Sequence, residues 1–339
     1  MVRRGGGPLE AELNAAGVPV VALGARGSWS NVLVLGRLLR RLRKTRPSVV
    51  HGYLPVQNLL LLVAKPLLRR WGTAVACGVR SSRMENSVYG SKATVTHAWH
   101  DRWLRHADVT IFNSAAAAGE LADHLPVARV RVVPNGIDTD RFCFSESARA
   151  VWRASQGIGQ DEVAIGLVGR LDPMKNHRAL VAAASPLLHA APNLRLLFVG
   201  AGPDTYRAQI DAFAEQEGIA QKVKWVAATS DMAAVYSGLD ILCLPSTSEA
   251  FPNVLGEAMA CGLPCVATDV GDVDRVLGDT GWIVPANETR ALREAMSSAI
   301  SALPGWNRER PRDRIRRLYS VEALVANTLQ ALAPWMHAS

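Results

Sequence analysis

Short continuous apolar runs alternate along most of this chain with longer stretches in which apolar residues recur every third or fourth position. The runs read as strands buried on both faces, and the stretches between them as amphipathic helices. The first half predicts a short helix at Leu9–Ala16 closed by Gly17, a strand at Val18–Leu23, and a helix at Asn31–Arg46 with Val32, Leu35, Leu38, Leu39 and Leu42 inward. Strands at Ser48–Tyr53, Thr73–Val79, Val109–Asn113 and Val130–Val133 then alternate with helices at Val56–Arg70, Thr96–His106 and Ala115–His124. A polar stretch over 139–159, around a short helix at Ala148–Ser155, reads as a linker. The pattern restarts with strands at Val163–Val168, Leu194–Val199, Lys222–Val226 and Ile241–Pro245, each followed by a helical stretch, and closes with strands at Pro264–Thr268 and Gly281–Val284 and helices at Glu288–Ala302 and Val321–Leu332. Strands alternating with helices predict parallel sheets covered on both faces. The fold class is therefore α/β. Two Rossmann-like domains are expected, over 1–140 and 161–310, joined by a linker at 141–160 and followed by a basic segment and helix over 311–339.

The stretch Ser246–Gly262 carries the most chemistry. It is a polar loop after the Ile241–Pro245 strand, running into a helix whose inner face is Val254, Leu255, Ala258 and Met259. Pro252 suits a first helical turn and Gly262 a helix stop, since glycine enters the left-handed region without steric cost. The first N–H groups of such a helix, on Asn253, Val254 and Leu255, would form a positive end suited to a phosphate. Glu249 precedes that end and Glu257 lies one turn in, so both can reach one small ligand. Taken alone, the two acids could equally be solvated surface charges. Arg170 and Lys175 sit in the loop after the Val163–Val168 strand, and open α/β sheets bind ligands at the carboxyl ends of their strands. Gly200 and Gly202 mark the tip of the next strand, as a tight turn or as a place where backbone approaches a ligand.

Together these phrases bring a family into view. Glu249 and Glu257 reproduce an E-x7-E element, and SEAFPNVLGEAMACGLPCVAT, GLVGRLDPMKNH, Gly200-Ala-Gly-Pro203 and Pro134-Asn-Gly136 resemble glycosyltransferase family 4, strongly over 130–300 and loosely before. The resemblance implies a GT-B architecture, two Rossmann-like domains facing across a cleft, with the C-terminal helix crossing back onto the first. It also implies retaining transfer of a sugar from a nucleotide-diphosphate donor, UDP or GDP, to a hydroxyl of a glycan or lipid-linked acceptor, with no metal and no other cofactor. Arg170 and Lys175 would then hold the departing diphosphate and Glu249 would orient the donor sugar. Glu257 would bind the ribose, while Phe251, Pro252, Asn253, Val254, Leu255, Gly169, Gly200 and Gly202 would line the donor. Asn135 and Gly136 would line the cleft.

Two departures from the family stand out. Members open with a strand, a glycine-rich loop and a helix, whereas this chain begins MVRRGGGPLEAEL; about one βαβ unit is expected to be absent, through a start codon assigned late, leaving the first domain truncated. Many relatives also place a histidine after the strand matching Thr73–Val79, where this chain has Arg80-Ser81-Ser82; His51 and His97 are the candidates for that role, with Arg80 beside them. A catalytically silent nucleotide-sugar-binding or partner subunit is the alternative. A dinucleotide enzyme is disfavoured because Gly200-Ala-Gly202 continues as Pro-Asp-Thr, without the third glycine.

Composition narrows the partners. The chain has 339 residues, 49% of them hydrophobic and 20% charged, which suffices for two large cores. A net charge of +8 with only 6% aromatic residues fits anionic lipid or phosphorylated ligands better than nucleic acid. The helix at Asn31–Arg46 carries Arg37, Arg40, Arg41, Arg43, Lys44 and Arg46 on its outer side, so its face is either ordinarily solvated or touches an anionic membrane peripherally. Cysteines at 77, 143, 243, 261 and 265 read as reduced thiols of a cytoplasmic protein. No segment approaches the roughly 18 apolar residues of a membrane span, and no apolar signal core opens the chain.

Overall fold

A computed structural model of the chain describes residues 8–24, 31–80, 91–121 and 124–336. Helices α1 (Pro8–Ala15) and α2 (Asn31–Thr45) lead into an alternation of β1 (Val49–Gly52), α3 (Pro55–Arg70), β2 (Ala74–Val79), α4 (Ser91–Leu104), β3 (Val109–Phe112), α5 (Ala115–Glu120) and β4 (Val130–Val132). These four strands form a parallel sheet in sequential order β1-β2-β3-β4. Val18–Leu23, expected as a strand, makes a single β-bridge position at Ala22. Pro19 has no N–H to give a ladder there.

The connecting helix α6 (Glu146–Ser155) precedes the second sheet. Its elements are β5 (Val163–Val168), α7 (His177–Ala190), β6 (Leu194–Val199), α8 (Asp204–Gln216), β7 (Val223–Val226), α9 (Met232–Gly238), β8 (Ile241–Leu244), α10 (Asn253–Ala260), β9 (Cys265–Thr268), α11 (Val273–Leu277), β10 (Trp282–Val284) and α12 (Thr289–Ala302). All pairings are parallel, in the order β10-β9-β8-β5-β6-β7. The order reverses at β5, which lies between β8 and β6, and such a switch point opens a crevice at the carboxyl edge. Strand alternation divides the core. Ala164, Val168, Leu242, Leu244, Cys265 and Ala267 face α9, α10 and α11, whereas Ile165, Leu167, Ile241, Cys243 and Val266 face α7, α8 and α12. Two Rossmann-like units thus share one chain, which is the GT-B plan.

The basic segment Arg308–Arg317 proves to be a helix, α13 (Glu309–Leu318), with Pro311 and Ile315 buried. Its Arg312 donates to Thr139 O (2.9 Å) and Phe142 O (2.8 Å), pinning the linker. The final helix α14 (Val321–Leu332) returns to the first sheet. Leu324, Ala331, Leu332 and Trp335 pack there against Ala76, Val109, Ile111 and Val133, covering the face opposite α2 and α3. The outgoing and returning strands of chain touch where Ile137 N–H meets Tyr319 O at 2.8 Å.

Further polar contacts join the two units. Asp272, between β9 and α11, accepts from Ala115 N (2.7 Å) and Ala116 N (2.9 Å) at the start of α5. Asn135 accepts from Arg80 (2.6 Å) and donates to Asn253 Oδ1 (2.9 Å) at the start of α10.

Candidate active site

The loop after β5 and the loop after β8 meet at the switch point. A one-turn 3-10 helix, Pro173–Lys175, is capped by Asp172 Oδ1 on Met174 N (3.0 Å), and Thr247 N donates to Met174 O (2.9 Å), which ties the loops together. Lys175 Nζ consequently lies 2.5 Å from Glu249 Oε1, and Ser246 Oγ donates to the same oxygen at 2.7 Å. Both side chains are mostly buried, 18% and 12% exposed, so the pair is screened far less than a surface ion pair. Arg170 stands apart. Its side chain is 74% exposed and its guanidinium lies 3.5 Å from Asp172.

Glycines at the neighbouring strand tips serve close approach. A Cβ on Gly200 would collide with the carbonyl oxygen of Gly169, and one on Gly202 would lie 2.6 Å from Leu171 O. The loops after β5 and β6 therefore lie backbone against backbone, joined by Leu171 N to Ala201 O at 3.0 Å.

Helix α10 starts at Asn253, with Pro252 at the N-cap rather than in the first turn, and Gly262 adopts φ 75° just beyond its end. Asn253 N bonds Phe251 O and Leu255 N bonds Pro252 O, both at 3.0 Å, so two of the three N–H groups expected to be free have main-chain partners. Phe251 is buried against Tyr319, with ring centroids 5.5 Å apart. Val254 packs against the core beneath the helix. Glu257 accepts from the buried hydroxyl of Tyr236 at 2.7 Å. Burial raises the Glu257 carboxyl above its ordinary value, opposed by that hydrogen bond and by Arg141.

On the facing edge, Arg80 stacks 4.7 Å over Tyr53 and reaches Asn135, while His51 lies against Tyr53 with ring centroids 4.3 Å apart. Burial, then the positive charge of Arg80, lowers the His51 pKa to about 4. Its imidazole is neutral near pH 7. His97 stays within the first unit, edge-on to His100 at 6.5 Å. Ser81 and Ser82 lie outside the described residues. Gly136 also serves the return of the chain: a Cβ there would lie 2.9 Å from both Leu324 Cβ and Val321 Cα, so this glycine admits the returning helix.

Sequence reasoning missed Ser246, Tyr236 and Asp272. Ser246 could have been found as the hydroxyl three residues before Glu249. Tyr236 lies within a helix and offers no local signal.

Two family models match the chain, one described as Glycosyltransferase Family 4 over residues 1–141 and one as Glycosyl transferases group 1 over residues 162–302. Among curated proteins, the D-inositol 3-phosphate glycosyltransferase of Segniliparus rotundus is 35% identical over 207 residues, covering 59% of this chain and 46% of that protein. The protein of the same description from Nocardia farcinica is 32% identical over 226 residues, 63% of this chain and 48% of that protein. The chain spans about half the length of the curated relatives it matches. Among solved structures, Anabaena HepE in complex with UDP and glucose superposes with a TM-score of 0.83 at 17% identity, covering 97% of this chain and 90% of that one. A glycosyltransferase from Rickettsia africae gives 0.81 at 17% identity, covering 98% and 89%.

Proposed function

Because this chain belongs to glycosyltransferase family 4, we propose that it transfers a sugar from a nucleoside-diphosphate donor to a hydroxyl of an acceptor, with retention at the anomeric carbon. The observation that carries this is the Lys175–Glu249 pair at the switch point of the second sheet, with the start of α10 beside it. A leaving diphosphate gains charge as its bond breaks, and a largely buried lysine there stabilises it more than an exposed one would. Arg170 adds a second cation once it turns from Asp172. Glu249 orients the sugar beside its anomeric carbon, and Glu257, one turn along the helix, takes the ribose hydroxyls. The departing phosphate deprotonates the acceptor, so no covalent nucleophile is assigned.

The structural neighbour solved with UDP and glucose favours UDP as the nucleotide. For the acceptor, the carboxyl edge of the first sheet offers the Arg80 cation and buried atoms with unfilled hydrogen-bonding positions, His51 Nε2 and Asn113 Oδ1. Such an edge suits a hydroxyl-rich molecule bearing an anionic group, in keeping with relatives named for inositol 3-phosphate.

For contact with an anionic membrane, α2 offers charge: Val34, Leu38 and Leu42 are buried in the core, while Arg40, Arg41, Arg43, Lys44 and Arg46 remain exposed, with Leu33 exposed near the start of the helix. Among the described residues no helix is long and apolar enough to cross a membrane.

Thermal stabilisation by UDP, GDP, ADP and NAD, each with and without EDTA, tests the donor site, because a ligand of the folded state raises stability by RT ln(1 + [L]/Kd). A shift with one nucleoside diphosphate that ignores EDTA, together with transfer from the matching sugar nucleotide, is expected. A shift without transfer would favour a silent binding subunit. No shift with any nucleotide would sink the donor site.

A further inference from the structure

Asp272 is an unusual place for a charge. It is 3% exposed, and its carboxylate is spent on the first two N–H groups of α5, in the other unit. Those N–H groups are ones a helix cannot satisfy internally, and a carboxylate at a helix start is favoured by charge-assisted hydrogen bonds. Ser114, the local N-cap, covers only Ala117 N, at 3.2 Å. Asp272 also precedes its own helix, α11, yet makes no side-chain cap to it.

The main chain of Asp272 faces the other way. Its N–H bonds Ala250 O at 3.0 Å, and a Cβ on the adjacent Gly271 would collide with the carbonyl oxygen of Glu249. One residue therefore holds the loop carrying Glu249 by its backbone and the first unit by its side chain. Helix α5 begins two residues after Asn113, whose Oδ1 is among the unfilled atoms of the acceptor edge. A short connected path thus runs from Asn113 through Ser114, the α5 start, Asp272 and Ala250 to Glu249.

We propose that Asp272 is a positioning residue: by capping α5 across the cleft it sets the separation of the two units, and so the register between Glu249 and an acceptor on the first sheet. The proposal rests on the transferase reading for its effect on rate, and on geometry alone for its effect on domain separation. The carboxylate matters rather than the shape, because the amide of an Asp272→Asn variant would turn an N–H donor toward one of the two N–H groups.

The test compares wild type, Asp272→Asn, Asp272→Ala and Ala115→Pro. The proline removes one donor from the opposite side of the contact, at a first-turn position where proline is tolerated. Small-angle scattering reads domain separation, calorimetry reads UDP affinity, and assays with UDP-glucose and D-inositol 3-phosphate read transfer. All three variants are expected to give a larger radius of gyration or a broader distance distribution. Transfer should fall roughly tenfold in kcat/KM for the acceptor, while the Kd for UDP stays within about twofold. Ala115→Pro should show the mildest change. Scattering from Asp272→Asn identical to wild type would overturn the proposal. So would a loss of UDP affinity matching the loss of transfer, since Asp272 would then serve only the Glu249 loop. If wild type neither binds UDP nor transfers glucose, it is the transferase reading that fails, and the scattering comparison still decides whether Asp272 sets the separation.

Discussion

The two facing sheet edges are built on opposite principles. On the second, the charged groups expected to hold the donor have partners within the protein: Lys175 with Glu249, Glu249 with Ser246, Glu257 with Tyr236, Arg170 with Asp172. On the first, polarity is left over. Among the described residues, eight buried side-chain nitrogen or oxygen atoms lack a hydrogen-bond partner, and five of them, on His51, Gln57, Asn58, Arg80 and Asn113, belong to the first unit near the carboxyl ends of β1, β2 and β3. An unfilled buried polar atom costs on the order of 1–3 kcal/mol. A cluster of them is best explained by a ligand or water that fills it. The second edge is held largely by its own side chains, whereas the first keeps more buried polar atoms that a ligand or ordered water would satisfy.

Removing one cation from the self-paired edge should break it most severely. Lys175→Ala is expected to lower kcat by about a hundredfold to a thousandfold, measured by transfer from UDP-glucose. A loss below tenfold would mean that Arg170 or the α10 start carries the charge instead. On the unfilled edge, Arg80→Ala and Asn113→Ala should each raise the acceptor KM by about tenfold, with UDP binding unaltered. An effect of equal size on UDP affinity would erase the division of labour between the edges.

The subtlest test concerns pH. The Glu257 carboxyl is raised by burial, so between its unfolded and folded values the folded state holds the proton longer, and stability falls as pH rises through that window. Glu257→Gln, which keeps an acceptor for Tyr236, should gain on wild type in Tm as pH is raised from below the ordinary carboxylate range to neutrality. Parallel pH profiles would show that Glu257 has enough solvent or cation contact to ionise freely.

Much of this was legible in the sequence where the physics is local. Val163–Val168 and Leu194–Val199 match the observed strands in full, because each is a nearly continuous apolar run buried on both faces, broken only by the half-buried Arg195 near the start of the second. Gly262 marked the end of α10 because its backbone requires positive φ. Non-local chemistry was less legible. The Lys175–Glu249 contact spans 74 residues, and only the family resemblance set both on one ligand. The packing of α14 on Gly136 was not legible, because nothing near Gly136 in the sequence announces that a helix beginning at Val321 will lie on it. Asp272 was the hardest to see. An aspartate just before Val273, Val276 and Leu277 reads as the cap of its own helix, and its use across the cleft becomes visible only in three dimensions. The Arg308–Arg317 run read as a basic segment because its arginines outnumber the buried Pro311 and Ile315 that make it a packed helix.

The returning helix α14 also bears on how the protein is made. Among the described residues, Ala76, Val109 and Ile111 of the first sheet are covered from outside the sheet by residues 324–335. During synthesis the first unit therefore leaves the ribosome with one apolar sheet face open, and it keeps that face open until residues 324–335 have been translated. The second unit, whose two cores draw chiefly on residues 137–319, can close before that happens. The half made first is thus the half finished last, and exposure to chaperones and proteases should be concentrated there.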